Sequence, residues 1–216
     1  MSRPSLIVAD DHGLFIEGLR RILEPEYEIV ATLGDGRALV RAVEQRRPDL
    51  ILVDITLPLL NGIDAVRQIR KNDKRTPIVM LTMHSEAAYA AEAFDAGAQG
   101  YVLKHAVTGE LLEALRQVLA GKRYVSPRLA EHVENLLAEA ASSRRRSVAA
   151  PLSERRREVL QLIAEGYSAK QIGDILHISP RTVDFHKKEL KKDLGVGSTP
   201  ELVQQAVRLG IIHPGD

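Results

Sequence analysis

Four apolar runs in this chain end on residues that can do chemistry. Leu6–Ala9 leads into Asp10-Asp11, Leu50–Val53 into Asp54, Ile78–Leu81 into Thr82, and Gly100–Leu103 into Lys104. In an open α/β sheet, ligands bind beyond the carboxyl ends of the strands. If these runs are strands in the order 2-1-3-4-5, three carboxylates, a hydroxyl and an ammonium share one edge. Three acids together repel one another, and a divalent cation is their natural neutraliser; all-oxygen ligation favours Mg²⁺ or Mn²⁺ over zinc. A carboxylate to accept a phosphoryl group, a metal to neutralise it, and a hydroxyl plus ammonium to hold its oxygens would complete a phosphoryl-transfer site. Taken singly, each residue has a plainer explanation: Asp caps helices, Thr is a strand residue, and Lys snorkels at surfaces. Their convergence at four strand ends is what favours a site.

The elements that must position these groups follow from the pattern of residues 1–124. Strands are predicted at Leu6–Ala9, Tyr27–Leu33, Leu50–Val53, Ile78–Leu81 and Gly100–Leu103, each a nearly continuous Val/Ile/Leu run of the kind buried on both faces. Amphipathic helices are predicted between them, at Gly13–Glu24, Arg37–Arg46, Gly62–Lys71 and Glu86–Ala96, with Thr108–Ala120 after the last strand. Five alternations of strand and helix indicate a doubly wound, flavodoxin-like five-stranded parallel sheet.

After Arg123 the pattern changes. Ser126-Pro127 has the form of a helix N-cap and first position, opening a helix to about Ala140. The small, polar and basic stretch Ala141–Ser147 reads as a linker. Residues 125–150 are therefore expected to join the first domain (1–124) to an all-α domain (151–216) of four helices: Ser153–Ala164, Ser168–Leu176, Pro180–Leu194 and Thr199–Leu209. The second and third form a helix-turn-helix. At 100° per residue, Val183, His186, Leu190 and Leu194 make one inward stripe of the third helix. Arg181, Asp184, Phe185, Lys188, Lys191 and Lys192 lie on the opposite face, as a DNA recognition helix requires. Solvated lysines on a helix bundle are the plain alternative; the helix-turn-helix spacing tips the reading toward DNA.

Composition excludes several classes. There is no Cys, hence no disulfide, thiolate metal site or cysteine nucleophile. With 4% aromatics and no Trp, an aromatic stacking platform is not expected. The longest apolar runs fall far short of the roughly 20 residues that span a bilayer. Met1-Ser2-Arg3-Pro4 enters a strand without a signal-peptide pattern, so a cytoplasmic protein with no membrane partner is expected. The formal net charge is only +1, which argues against bulk electrostatic coating of nucleic acid.

The motifs Val8-Ala9-Asp10-Asp11-His12, Leu52-Val53-Asp54, Leu81-Thr82 and Gly97–Lys104 resemble the CheY-like receiver domain of two-component response regulators over residues 4–122. Leu152–Leu160, Gly166–Ile172 and Ser179–His186 are similar to the LuxR-type helix-turn-helix. Together they resemble the NarL/FixJ class of transcriptional regulators. By that resemblance, Asp54 is the phospho-acceptor; Asp10, Asp11, Asp54 and the backbone carbonyl of Thr56 hold Mg²⁺. Thr82 follows the phosphoryl group, Lys104 pairs with it, and Tyr101 is the aromatic switch. Asp184, Phe185 and Lys188 face bases, with Arg181 on the same helix face, while Lys170, Thr182, Lys191 and Lys192 meet phosphates. Asp184, an acid, suits a cytosine amine or the repulsion of wrong sequences. Leu202, Val203, Ala206 and Val207 are spaced for an apolar contact, part core and part dimer surface.

The resemblance implies a sensor histidine kinase, double-stranded promoter DNA, a second copy of the chain and RNA polymerase as partners. His105 stands where many receivers carry Pro after the lysine. Thr56 and His84, each two residues past a pocket residue, are expected to tune the lifetime of the acyl phosphate. A dehalogenase-type phosphatase would need a general acid at position 56, where Thr is a poor one. The remaining alternative is a DNA-binding or protein-sequestering module that works without phosphorylation, against which the intact acidic pocket argues.

Overall fold

The computed structural model describes residues 3–105, 108–143 and 152–212, with the backbone alone over 137–143. Of the expected linker Ala141–Ser147, residues 141–143 are helical and residues 144–147 lie outside the described residues. The chain divides into two compact units.

The first unit alternates β1 (Ser5–Ala9), α1 (Gly13–Leu23), β2 (Glu28–Leu33), α2 (Gly36–Arg46), β3 (Leu50–Val53) and α3 (Gly62–Asn72). It continues through β4 (Ile78–Thr82), α4 (Ala87–Ala96), β5 (Gly100–Leu103), α5 (Thr108–Leu119), β6 (Tyr124–Val125) and α6 (Ala130–Ser143). All strands are parallel, in the order β2-β1-β3-β4-β5-β6. The chain reverses direction across the sheet between β1 and β3, so their carboxyl ends border the crevice where such sheets bind ligands. Alternate strand residues (Leu6, Val8, Leu50, Leu52, Val79, Leu81, Val102) pack with Leu19, Leu23, Leu111, Leu115 and Val118 of α1 and α5. The intervening residues, Ile7, Ile51, Val53 and Met80 among them, are buried on the other face.

Two expectations need correction. The sheet has six strands: the Tyr124 amide donates to the Gln99 carbonyl and the Ser126 amide to the Tyr101 carbonyl, both at 2.9 Å, adding β6 beside β5. Ser126 also does not cap the following helix, which begins at Ala130. Its buried hydroxyl accepts from the Leu103 amide at 3.1 Å and donates to the Glu110 carboxylate, tying β5 to α5. The segment after residue 124 therefore extends the first unit. Arg123 lies 4.7 Å over the Phe94 ring of α4, α6 packs on α4, and Val133 is fully buried.

The second unit contains α7 (Glu154–Ala164), α8 (Ala169–Leu176), α9 (Pro180–Asp193) and α10 (Thr199–Arg208). Ser153, Ser168, Ser179 and Ser198 each accept from the backbone amide three residues on, satisfying donors that a helix start leaves orphaned. At Ser168 the cap is reciprocal, the Gln171 side chain returning to the Ser168 amide at 2.9 Å. Val159, Leu160, Leu162, Ile172, Leu176, Val183, Leu190, Leu202, Ala206 and Ile211 form the core. The turn between α8 and α9 is tight: a Cβ on Gly173 would lie 2.7 Å from the Ile178 carbonyl oxygen, so glycine is required there. His177 closes α8 in the left-handed region, at φ 55.

Candidate functional site

At the carboxyl end of the sheet, three strand ends supply one charge cluster. The Lys104 ammonium lies 2.7 Å from Asp10 Oδ2 and 2.6 Å from Asp54 Oδ2. Asp10 and Asp54 are almost wholly buried, whereas Asp11 is open to solvent. One ammonium against three carboxylates leaves the cluster short of positive charge. Burial raises the Asp54 pKa, and the neighbouring ammonium opposes that rise. For Lys104, burial pulls downward but the two carboxylates outweigh it, holding the amine protonated.

Asp54 Oδ1 is the informative atom. It is buried and has no hydrogen-bond partner among the described residues. Such an orphaned oxygen costs roughly 1–3 kcal/mol, more when charged, so its position calls for a ligand. The ligand atoms of Asp10, Asp11, His12 and Asp54 lie within 4.8 Å of one another. Three carboxylates with a net negative charge fit a hard divalent cation such as Mg²⁺. The backbone beneath Asp54 allows no bulk, since a Cβ on Gly62 would come 1.9 Å from the Asp54 carbonyl oxygen.

Thr82 ends β4, fully buried, its hydroxyl accepting from the His84 amide at 3.3 Å. Tyr101 is also fully buried, and its hydroxyl donates to the His84 carbonyl at 2.9 Å. The His84 ring meets Thr56 Oγ1 at 3.2 Å and the Tyr89 ring at 4.8 Å between centroids. Through its amide, carbonyl and ring, His84 touches Thr82, Tyr101 and Thr56, three residues singled out by sequence. Two neighbours escaped sequence reasoning. The His12 Nδ1 lies 3.0 Å from Asp10 and 2.7 Å from Asp11, and Phe15 places its ring 4.8 Å beneath the Lys104 ammonium. The first was visible as the residue after an Asp pair; the second is a helix residue that only the fold brings near.

In the helical unit, α9 sorts its charges by face. Glu189 and Asp193 are drawn to Arg156 of α7. Lys191 is held by the turn after the helix, donating to the Gly197 carbonyl at 2.7 Å. Arg181, Asp184, Phe185, Lys188 and Lys192 are exposed, as is Lys170 on α8. Phe185, 58% exposed, is one of the few large apolar side chains left open to solvent. Thr182 is half-buried in the cap of α9, its hydroxyl 2.8 Å from Ser179 Oγ. Val183 and Leu190 are buried as the inward stripe requires, and His186 is half-buried with an unpartnered Nδ1.

Residues 6–116 match the response regulator receiver domain family, and residues 150–206 match the bacterial regulatory proteins of the luxR family. The transcriptional regulatory protein DegU of Brevibacillus brevis is 33% identical over 220 residues, covering 95% of this chain and 93% of DegU. The oxygen regulatory protein NreC of Staphylococcus aureus is 34% identical over 214 residues, covering 96% and 99%. The structure of the response regulator RcsB of Salmonella typhimurium aligns at a TM-score of 0.64 with 26% identity, covering 97% and 99%, and RcsB has also been solved bound to DNA.

This chain is a response regulator with a LuxR-type DNA-binding domain.

Its family is one of transcriptional regulators of the NarL/FixJ class, not of enzymes, which removes the phosphatase alternative. The receiver of this response regulator brings Asp10, Asp11, Asp54 and Lys104 together, and it leaves Thr82 and Tyr101 joined through His84. Among the described residues no helix is long and apolar enough to cross a membrane. One assignment in its DNA-binding domain fails. Leu202 and Ala206 are completely buried in the core of their own domain, so they cannot form a dimer surface. Only Val203 and Val207, half-exposed on the same helix, are left from that stripe.

Proposed function

We propose that Asp54 accepts a phosphoryl group from a sensor histidine kinase and that this controls binding to promoter DNA. The observation that carries the reading is the buried, unpartnered Asp54 oxygen beside Lys104 and two further carboxylates. In the transfer, a carboxylate oxygen of Asp54 forms a bond to phosphorus as the bond from phosphorus to the kinase imidazole breaks. Asp10, Asp11, Asp54 and the Thr56 backbone carbonyl would hold Mg²⁺, which supplies charge neutralisation for the transferred group when bound. Lys104 would exchange its contact with the carboxylate for one with the phosphoryl oxygens. Thr82 would turn its hydroxyl to the same group, giving up the His84 amide.

Those changes act on Tyr101 through His84 and shift the receiver between pre-existing states. On the DNA side, Asp184, Phe185 and Lys188 of α9 would face bases, with Arg181 beside them. Lys170, Thr182 and Lys192 would meet phosphates, joined by Lys191 once it leaves Gly197. Two copies would contact half-sites about one helical turn apart, with Val203 and Val207 in the contact between them.

The test is incubation of the full chain with acetyl phosphate and Mg²⁺, followed by intact mass. Wild type should gain one phosphoryl group, and Asp54→Asn none. A wild-type chain that stays unmodified, or an Asp54→Asn chain that binds DNA as well as the phosphorylated protein, would overturn the reading. The second result would favour a module that works without phosphorylation.

A further inference from the structure

We propose that Asp184 reads a cytosine, so that each half-site of the target carries a C·G pair under the first turns of α9. The inference rests on the assignment of α9 to the major groove. Helix α9 carries three acids, and the structure disposes of two: Glu189 and Asp193 pair with Arg156 of α7. Asp184 differs. It is exposed and, among the described residues, has neither a hydrogen bond nor an ion pair. Its neighbours on that face, Arg181 three residues before and Lys188 four after, are likewise exposed and unpaired.

A carboxylate on a surface that meets phosphates costs affinity, and it offers acceptors only. The major groove presents two kinds of donor to such a group, the N4 amine of cytosine and the N6 amine of adenine. The adenine amine is flanked by acceptors on both sides, N7 of its own base and O4 of the paired thymine. A carboxylate approaching it therefore meets repulsion whichever way it tilts. The cytosine amine has an acceptor on one side only, the guanine O6, and leaves the other side open. Asp184 thus discriminates toward cytosine. Lys188 sits one helical turn along, with Cβ atoms about 5–6 Å apart, which spans between one and two base steps of about 3.4 Å. As a donor it suits the O6 or N7 of the same or the adjacent guanine.

The experiment selects sequences from a randomised duplex library with the full chain, treated with acetyl phosphate and Mg²⁺, and reads the enriched pool. Wild type should show one position per half-site at which cytosine is favoured by about 10-fold or more, the scale of one good base contact. Asp184→Ala should flatten that position alone while binding mixed-sequence DNA at least as tightly, because an acid has left the surface. Asp184→Asn should move the preference to adenine, whose N6 and N7 match a carboxamide. Base preferences that are unchanged in Asp184→Ala would overturn the cytosine reading while leaving α9 in the groove. If wild type enriches no sequence and binds no duplex, the groove assignment itself fails. Asp184 is exposed, so folding of the variants is not at risk; circular dichroism checks this directly.

Discussion

Lys104 touches two buried carboxylates, and a single ammonium cannot neutralise both. Removing it in Lys104→Met leaves Asp10 and Asp54 facing each other without a cation, the kind of loss that costs about 3–5 kcal/mol. Urea denaturation without divalent ions should register that cost. Mg²⁺ should then restore part of it and stabilise the variant more than the wild type, because the ion no longer competes with an ammonium for the same oxygens. Equal stabilisation of both proteins would show that these carboxylates are not cation ligands. A second residue-scale prediction concerns the hydrogen-bonded pair of Thr56 and His84, 3.2 Å apart. Either side chain alone can be removed to delete the same bond. Thr56→Ala, His84→Ala and the double variant should therefore change the rate of phosphoryl loss from Asp54 by similar factors. Factors that multiply in the double variant would separate the two roles.

Elements explain which of these groups could be read from sequence. Asp10, Asp54, Thr82 and Lys104 were legible because each follows an apolar run, and a parallel sheet gathers the ends of its strands. β6 was not, because two residues carry no periodicity and owe their strand geometry to the backbone groups of Gln99 and Tyr101. Ser126-Pro127 has the form of a helix start, but burial gave the hydroxyl better partners in β5 and α5. The stripe Leu202, Val203, Ala206, Val207 shows a helix with an apolar side; which half of it is core depends on where α7 and α9 lie.

In α9 the inward position of His186 carries a pH dependence. Burial, with Arg155 and Arg156 nearby, lowers its pKa below the usual value of about 6.5. The unfolded chain then binds the proton more readily, so the helical domain keeps its full stability above about pH 6.5 and loses it as pH falls toward the lower folded value. His186→Gln should remove that part of the acid sensitivity. Denaturation midpoints of both proteins between pH 7 and 5 measure it, and parallel curves would reject the assignment.

The charge of the whole molecule is arranged rather than accumulated. Residues 1–124 hold 16 Lys and Arg against 17 Asp and Glu, and residues 151–216 hold 10 against 9. Neither part is a general polycation, so affinity for DNA has to come from a few placed cations: Lys170, Arg181, Lys188 and Lys192, exposed in the structure. With Lys170, Lys191 and Lys192 on phosphates, about three neutralised per chain, binding should weaken with salt at a logarithmic slope of about −3, too shallow and too weak for a monomer to hold a promoter. Two chains on one site would bring the slope to about −5. This separates two ways for phosphorylation to act. If it drives dimerisation, the phosphorylated chain on a duplex with two half-sites should show the steep slope, and Asp54→Asn the shallow one. If phosphorylation only frees a DNA-binding domain that works singly, affinity should rise while the slope stays where it was. Dimerisation is the expected outcome, because a surface this sparing in charge gains most by being used twice. Fluorescence anisotropy across a salt series, with both proteins on the same duplex, reads the difference directly, and equal slopes would assign the control to release instead.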